Sequence, residues 1–181
     1  DTPRIPVVDA DPVLCIYKDF DDPSAFEFTE DEILDFTKRE QMSHLFYMSG
    51  SKTKPLALPD GFGQSATDLN GCFYNCECQS LTLPDGFGQS ATDLHGCFYC
   101  AVNLKTLILP DGFGQNATDL SWCFYMCAGL EKLVLPKGFG QNAETLKECF
   151  LTGDYRKLSN LATLILPEGF GQKATDVEMC F

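Results

Sequence analysis

Histidine is scarce in this chain: His44 and His95 are the only two among 181 residues, which leaves little material for a metal centre or a nucleophile–base pair. Basic residues are scarce as well. Thirteen Lys and Arg stand against 26 Asp and Glu, a net charge of -13, and a chain of that sign does not neutralise a polyanion, so neither nucleic acid nor anionic lipid is expected as a partner. No apolar run approaches the ~20 residues needed to cross a bilayer, so no membrane insertion is expected. Asp1 opens the chain with neither an initiator Met nor a signal-type apolar segment, as an excised or processed piece would. The length fits one ordinary domain or a short repeat array and is too small for a multidomain enzyme. What the chain has in excess is Phe, at 15, and Cys, at 10.

Both are explained by an internal period. Pro59-Asp60-Gly61-Phe62-Gly63-Gln64 recurs at Pro84 to Gln89 and Pro110 to Gln115, with Lys at Pro136 to Gln141 and with Glu at Pro167 to Gln172, so the Pro spacings are 25, 26, 26 and 31. A Cys-Phe anchor keeps the same register at Cys72-Phe73, Cys97-Phe98, Cys123-Phe124, Cys149-Phe150 and Cys180-Phe181. The five extra residues of the last interval fall in Leu151 to Asn160, with Tyr155, Arg156 and Lys157, and are expected to form a loop bulging from one face. Met42-Ser43-His44-Leu45-Phe46-Tyr47-Met48 aligns with Leu120 to Met126 as a degenerate earlier copy. The array thus runs over 42–181, about five and a half coils, with its C-terminal end incomplete at Phe181.

Each unit reads as a short strand, a Pro-Gly turn and a return. In Leu81-Thr82-Leu83, Leu107-Ile108-Leu109, Leu133-Val134-Leu135 and Leu164-Ile165-Leu166 the period of two sends both Leu inward and the middle residue outward. Leu104, Leu130 and Leu161 complete a Leu-x-x-Leu-x-Leu pattern in which Cys78 stands for the first Leu. Apolar residues at i, i+3, i+4 in Ala-Thr-Asp-Leu-x-x-Cys-Phe predict one helical turn facing the core. A single unit cannot bury its own Leu, Phe and Cys, so neighbours must stack. Residues 1–41 differ: Thr29-Glu30-Asp31-Glu32 is a capping box and predicts a helix from Glu30 to about Gln41, with Ile33, Leu34 and Phe36 covering the first coil as an acidic N-terminal cap. The first fifty residues carry 12 acids and 4 bases, -8 of the -13.

The run Cys123-Phe124-Tyr125-Met126-Cys127-Ala128-Gly129-Leu130-Glu131-Lys132-Leu133-Val134-Leu135, followed by Phe139 and Ala143 to Phe150, resembles the 26-residue bacterial surface-protein repeat, a relative of the BspA-type leucine-rich repeats. The likeness covers residues 42–181. It implies an α/β repeat solenoid, a leucine-rich-repeat-like stack with one short parallel strand per coil. It also implies a secreted or surface-anchored bacterial protein whose repeats contact other proteins, host proteins among them, without catalysis and without a cofactor.

Candidate sites compete with architectural explanations. Cys97-Phe98-Tyr99-Cys100, and Cys72 with Cys76 and Cys78, can be drawn as redox or zinc sites, but Cys is also a small buried hydrophobe. A structural ladder of Cys72, Cys97, Cys123, Cys149 and Cys180 is the favoured reading, with bridging between coils left open. Stacked Asp columns (Asp60, Asp85, Asp111; Asp68, Asp93, Asp119, Asp176) admit calcium, yet Lys137 and Thr145 interrupt them and Asp suits turns; no metal site is assigned. The recurring Gln64, Gln89, Gln115, Gln141 and Gln172 read as structural. No His has a repeated Ser or Asp partner, so no catalytic residue is assigned. The candidate binding surface is the outward column Ala57, Thr82, Ile108, Val134 and Ile165, flanked by Ser80, Thr106, Lys132 and Thr163. Three aligned β-branched apolar residues suit a contact patch, although β-propensity alone also accounts for them. Trp122 and the insertion, with Tyr155 and Arg156, form a second candidate. The alternative role is a structural spacer or stalk without its own ligand. The open last coil is a further candidate surface, for self-association or for more chain.

Overall fold

The computed structural model describes residues 30–50, 55–151 and 160–181. Thr29 of the capping box, and Tyr155 and Arg156 of the insertion, lie outside the described residues. The fold is made of short strands in parallel sheets with one helix, and neither sheet closes into a barrel.

Helix α1 spans Glu30–Lys38, ending earlier than the periodicity predicts. Glu30, Asp31 and Glu32 crowd its first turn and Lys38 its last, each complementing the dipole at that end. Phe36 is its buried residue, and its ring stacks 4.6 Å from Phe62 while its carbonyl accepts the Gly63 N–H. Leu34 stays exposed and Ile33 half-buried, so of the three apolar residues Phe36 alone is sealed against the first unit.

The strands are β1 (Leu56–Ala57), β2 (Ser80–Thr82), β3 (Thr106–Ile108), β4 (Lys132–Val134) and β5 (Thr163–Ile165). Strands β1, β2 and β3 form one parallel sheet, and β4 and β5 another. The register follows the sequence period: Leu56 pairs with Leu81, Leu81 with Leu107, and Leu133 with Leu164. Leu81, Leu107 and Leu133 are buried and their flanking residues face out, as alternation demands. At β5 the pattern weakens, with Leu164 half-buried and Leu166 exposed.

The return segment is not the helical turn predicted from its spacing. It is a run of overlapping four-residue turns: the N–H groups of Cys72, Tyr74 and Cys76 donate to the carbonyls of Leu69, Gly71 and Phe73. Leu69, Gly71, Phe73 and Asn75 instead donate to Asp93, His95, Cys97 and Tyr99 in the next unit. Two left-handed residues cause this alternation. They sit just before the anchor Cys and three after it in the units of Cys72, Cys97 and Cys123, as at Gly71 (φ 57°) and Asn75 (φ 54°), or Trp122 (φ 58°) and Met126 (φ 55°). Left-handed residues cannot continue a right-handed helix, and they turn every second N–H toward the neighbour. The apolar i, i+3, i+4 spacing is satisfied all the same, because a four-residue turn also returns those side chains to one face. These bonds make a second parallel ladder, marked by the bridges Gln41↔Asp68↔Asp93↔Asp119↔Thr145↔Asp176.

Two phenylalanine columns fill the space between the ladders. Phe46, Phe73, Phe98, Phe124, Phe150 and Phe181 stack with centroids 5.1–5.6 Å apart. Phe87, Phe113, Phe139 and Phe170 stack at 6.0–6.4 Å. Tilted contacts such as Phe98 with Phe113, at 6.2 Å, lock one column to the other.

Candidate binding surface

The outward strand column lies on one face of the two sheets. Ala57 and Thr82 are exposed, and Ile108, Val134 and Ile165 are 54%, 45% and 47% exposed. Thr106, Lys132 and Thr163 beside them are also exposed and Ser80 half so. The column is interrupted in a way the sequence does not announce. Around the β2–β3 pair, Lys105 and Thr106 N–H donate to the Gln79 carbonyl, and around β4–β5, Ala162 and Thr163 N–H donate to Glu131. No corresponding bond joins Glu131 or Lys132 to Lys105, and β3 and β4 belong to different sheets although they are neighbours. Meanwhile the turn ladder behind them is continuous, with Phe98 N–H donating to Cys123 and Cys100 N–H to Tyr125. The strand face therefore parts between β3 and β4 while the opposite face stays joined.

The parting opens a cleft of about 540 Å³. Ile108 and Val134 line it from either side, with Lys105, Lys132, Glu131 and Asp111 contributing charge of both signs. Of these, Ile108, Val134 and Lys132 are among the candidate binding residues read from sequence. Lys105 and Glu131 are not, and nothing in the period marks them, since the unit between the two strands has the ordinary 26 residues. Thr82 and Ile165 belong to the same column but not to the cleft lining.

Trp122 lies elsewhere, on the turn ladder. It is half-buried, with its ring edge-on to His95 at 4.9 Å. His95 Nδ1 is 3.6 Å from Asp119 Oδ2, an ion-pair contact rather than a hydrogen bond. The Asp119 carboxylate raises the imidazole above its ordinary value against the opposing effect of burial. Burial pushes Asp119 upward, but His95 and Ser121 outweigh it and hold the carboxyl below its usual range. The column carboxylates act locally: Asp68, Asp93, Asp119 and Asp176 each accept the N–H two residues on, at 2.8–3.1 Å. Among the described residues no three His, Cys, Asp or Glu converge as a metal site.

The anchor residues Cys72, Cys97, Cys123, Cys149 and Cys180 are all buried. Burial drives the first four thiols well above their ordinary value and Cys180 to about 11, so they carry no thiolate at neutral pH. Cys97 and Cys100 are not brought together as a redox pair: Cys97 is sealed in the core, whereas Cys100 occupies a left-handed position with Sγ 3.7 Å from Met126 Sδ. No two of the nine described cysteines are joined in a disulfide. A tyrosine column went unread in the sequence. Tyr47, Tyr74, Tyr99 and Tyr125 stack at 4.7–5.2 Å on the turn ladder, half-buried. Its signal was available, because each Tyr directly follows an anchor Phe. Burial, with Cys100 and the neighbouring tyrosines, pushes Tyr99 to about 12.

Comparison with protein-family models, curated proteins and solved structures finds no match to this chain.

Proposed function

We propose that residues 42–181 form a leucine-rich-repeat-like solenoid capped by α1, serving as a non-catalytic protein-binding module of a secreted or surface-anchored bacterial protein. The observation that carries the reading is the parted strand face. Exposed apolar side chains lie in line there beside a cleft with mixed charge at its rim, an arrangement suited to a protein ligand rather than to a polyanion. The repeat period, the parallel register and the resemblance to bacterial surface repeats support the same conclusion, and a host protein is the partner class that resemblance favours.

The double substitution Ile108→Glu with Val134→Glu tests the binding role, because both side chains already face solvent and the core loses nothing. Binding of the purified protein to a panel of extracellular host proteins is expected to disappear, with the far-ultraviolet spectrum and the urea midpoint unchanged. A partner that binds both forms equally, or no partner at all, favours the structural-spacer role instead.

A further inference from the structure

The unit between the first two Pro-x-Gly-Phe-Gly-Gln turns is 25 residues long where the next two are 26. Alignment on the Cys-Phe anchor and on the Leu-x-x-Leu-x-Leu strand places the missing residue within one corner. From the anchor, Cys76 aligns with Ala101 and Cys127. Counting back from the strand, Cys78 aligns with Leu104 and Leu130. Three steps separate Ala101 from Leu104 and Cys127 from Leu130, but only two separate Cys76 from Cys78. In the longer units a turn closes this corner, Leu104 N–H donating to Ala101 and Leu130 N–H to Cys127, each at 3.1 Å. The shortened corner has too few residues for that turn. It has two sulfurs in contact instead.

Cys76 Sγ and Cys78 Sγ are 2.8 Å apart. Even carbon atoms rest at about 3.5–4.0 Å, and sulfur is larger, so this separation lies between non-bonded contact and the ~2.05 Å of a disulfide. Two residues along a chain keep their Cα atoms within about 7 Å, inside the limit for bridging. The corner is also enclosed. Both side chains are buried, Glu77 N–H donates to Ser49 in the preceding unit, and Gly50 passes so close that a Cβ there would lie 2.6 Å from the Cys78 nitrogen.

We propose that Cys76 and Cys78 are a dithiol–disulfide site, a covalent staple that replaces the missing turn of the shortened unit. The oxidant is a small disulfide of the glutathione class. The Cys76 thiolate attacks one sulfur of that disulfide and releases its first thiol; the Cys78 thiolate then attacks Cys76 sulfur and releases the second. One S–S bond forms in the protein and one breaks in the reagent, and the two protons and two electrons lost by the cysteines leave as two small-molecule thiols. Because both sulfurs are sealed, exchange occurs while the corner is open, either during folding or in a local opening.

The test is a thiol count on the full chain. Reduced protein is equilibrated in buffers of increasing oxidised-to-reduced glutathione ratio, acid-quenched, denatured, alkylated without reductant and mapped by mass spectrometry. Of the ten cysteines, eight are expected to alkylate at the oxidising end, with the segment carrying Cys76 and Cys78 lighter by two hydrogens and unalkylated. Cys78→Ala is expected to leave all nine remaining thiols reactive. Ten reactive thiols at every ratio, or loss of two at any other pair, overturns the proposal, and the wild-type map alone decides this if the variant does not fold.

Discussion

The His95 imidazole is held by an opposite charge, that of Asp119, so the stability of the turn ladder should carry its pH dependence. Its folded pKa lies above the unfolded value of about 6.5. Its contribution is therefore complete below about 6.5 and is lost as pH rises through the raised folded value. Asp119 has the opposite sign: held below the unfolded value of about 3.9, it contributes above that value and loses its contribution as pH falls through the depressed one. The pair is thus fully effective between about pH 4 and 6.5. Asp93 also faces His95 and adds to its elevation, while its own carboxyl is raised by burial. Both members of the pair are about a third exposed, so solvent screening keeps the effect within about 1 kcal/mol. Urea titrations at low salt are expected to give His95→Gln its largest deficit near pH 5 and a smaller one at pH 8. A deficit equal at both pH values would assign His95 to packing against Trp122 alone.

At the scale of the turn, the two glycines of Pro-x-Gly-Phe-Gly-Gln do different work, and alanine separates them. Gly112 has φ 79° and nothing closer than 3.5 Å to an added Cβ, so Gly112→Ala meets only backbone strain, about 1–2 kcal/mol for a left-handed L-residue. Gly114, at φ 67°, would in addition place its Cβ 2.8 Å or less from the Phe139 ring of the next unit. Gly114→Ala is expected to lose a further ~1–3 kcal/mol through overpacking, read as a lower urea midpoint at unchanged m-value. Equal losses would mean that the ring gives way freely. The same contrast explains what was legible in the sequence. Strand positions, register and Phe columns were readable because they repeat in residue type. The return segment was not, since its left-handed positions are occupied by Gly71 and Gly96 in two units but by His44, Trp122 and Glu148 in others. Residue type hides the conformation there, and the apolar spacing fits a helix and a row of turns equally well.

Across the described residues, the strands and turns bond chiefly to their copies in neighbouring units, around one hydrophobic core that runs from Phe36 to Cys180. A break in one ladder is then a local weakness that the other ladder bridges. Between β3 and β4 the strand bonds are missing while Leu94, Gly96, Phe98 and Cys100 still donate to the following unit, and Leu120, Trp122 and Phe124 to the one after. The missing bonds were not legible, because the units flanking the gap match in length and in their Leu pattern, and only the hydrogen-bond geometry sets them apart. The gap predicts a pattern of amide exchange. Lys105 and Thr106 N–H are bonded to Gln79, and Ala162 and Thr163 N–H to Glu131, whereas Glu131 and Lys132 N–H have no counterpart bond to Lys105. Residue-resolved hydrogen exchange is therefore expected to find Glu131 and Lys132 less protected than Thr106 and Thr163, while Phe98 and Phe124 on the turn ladder keep the protection of their neighbours. Uniform protection along β2 to β5 would mean that the two sheets are continuous in solution, and with that the cleft beside Ile108 and Val134 would lose its place as the centre of the proposed binding face. If protection instead drops at Glu131 and Lys132 alone, a ligand seated in the cleft should restore it there first, which makes these two amides the reporters of binding at the parted face.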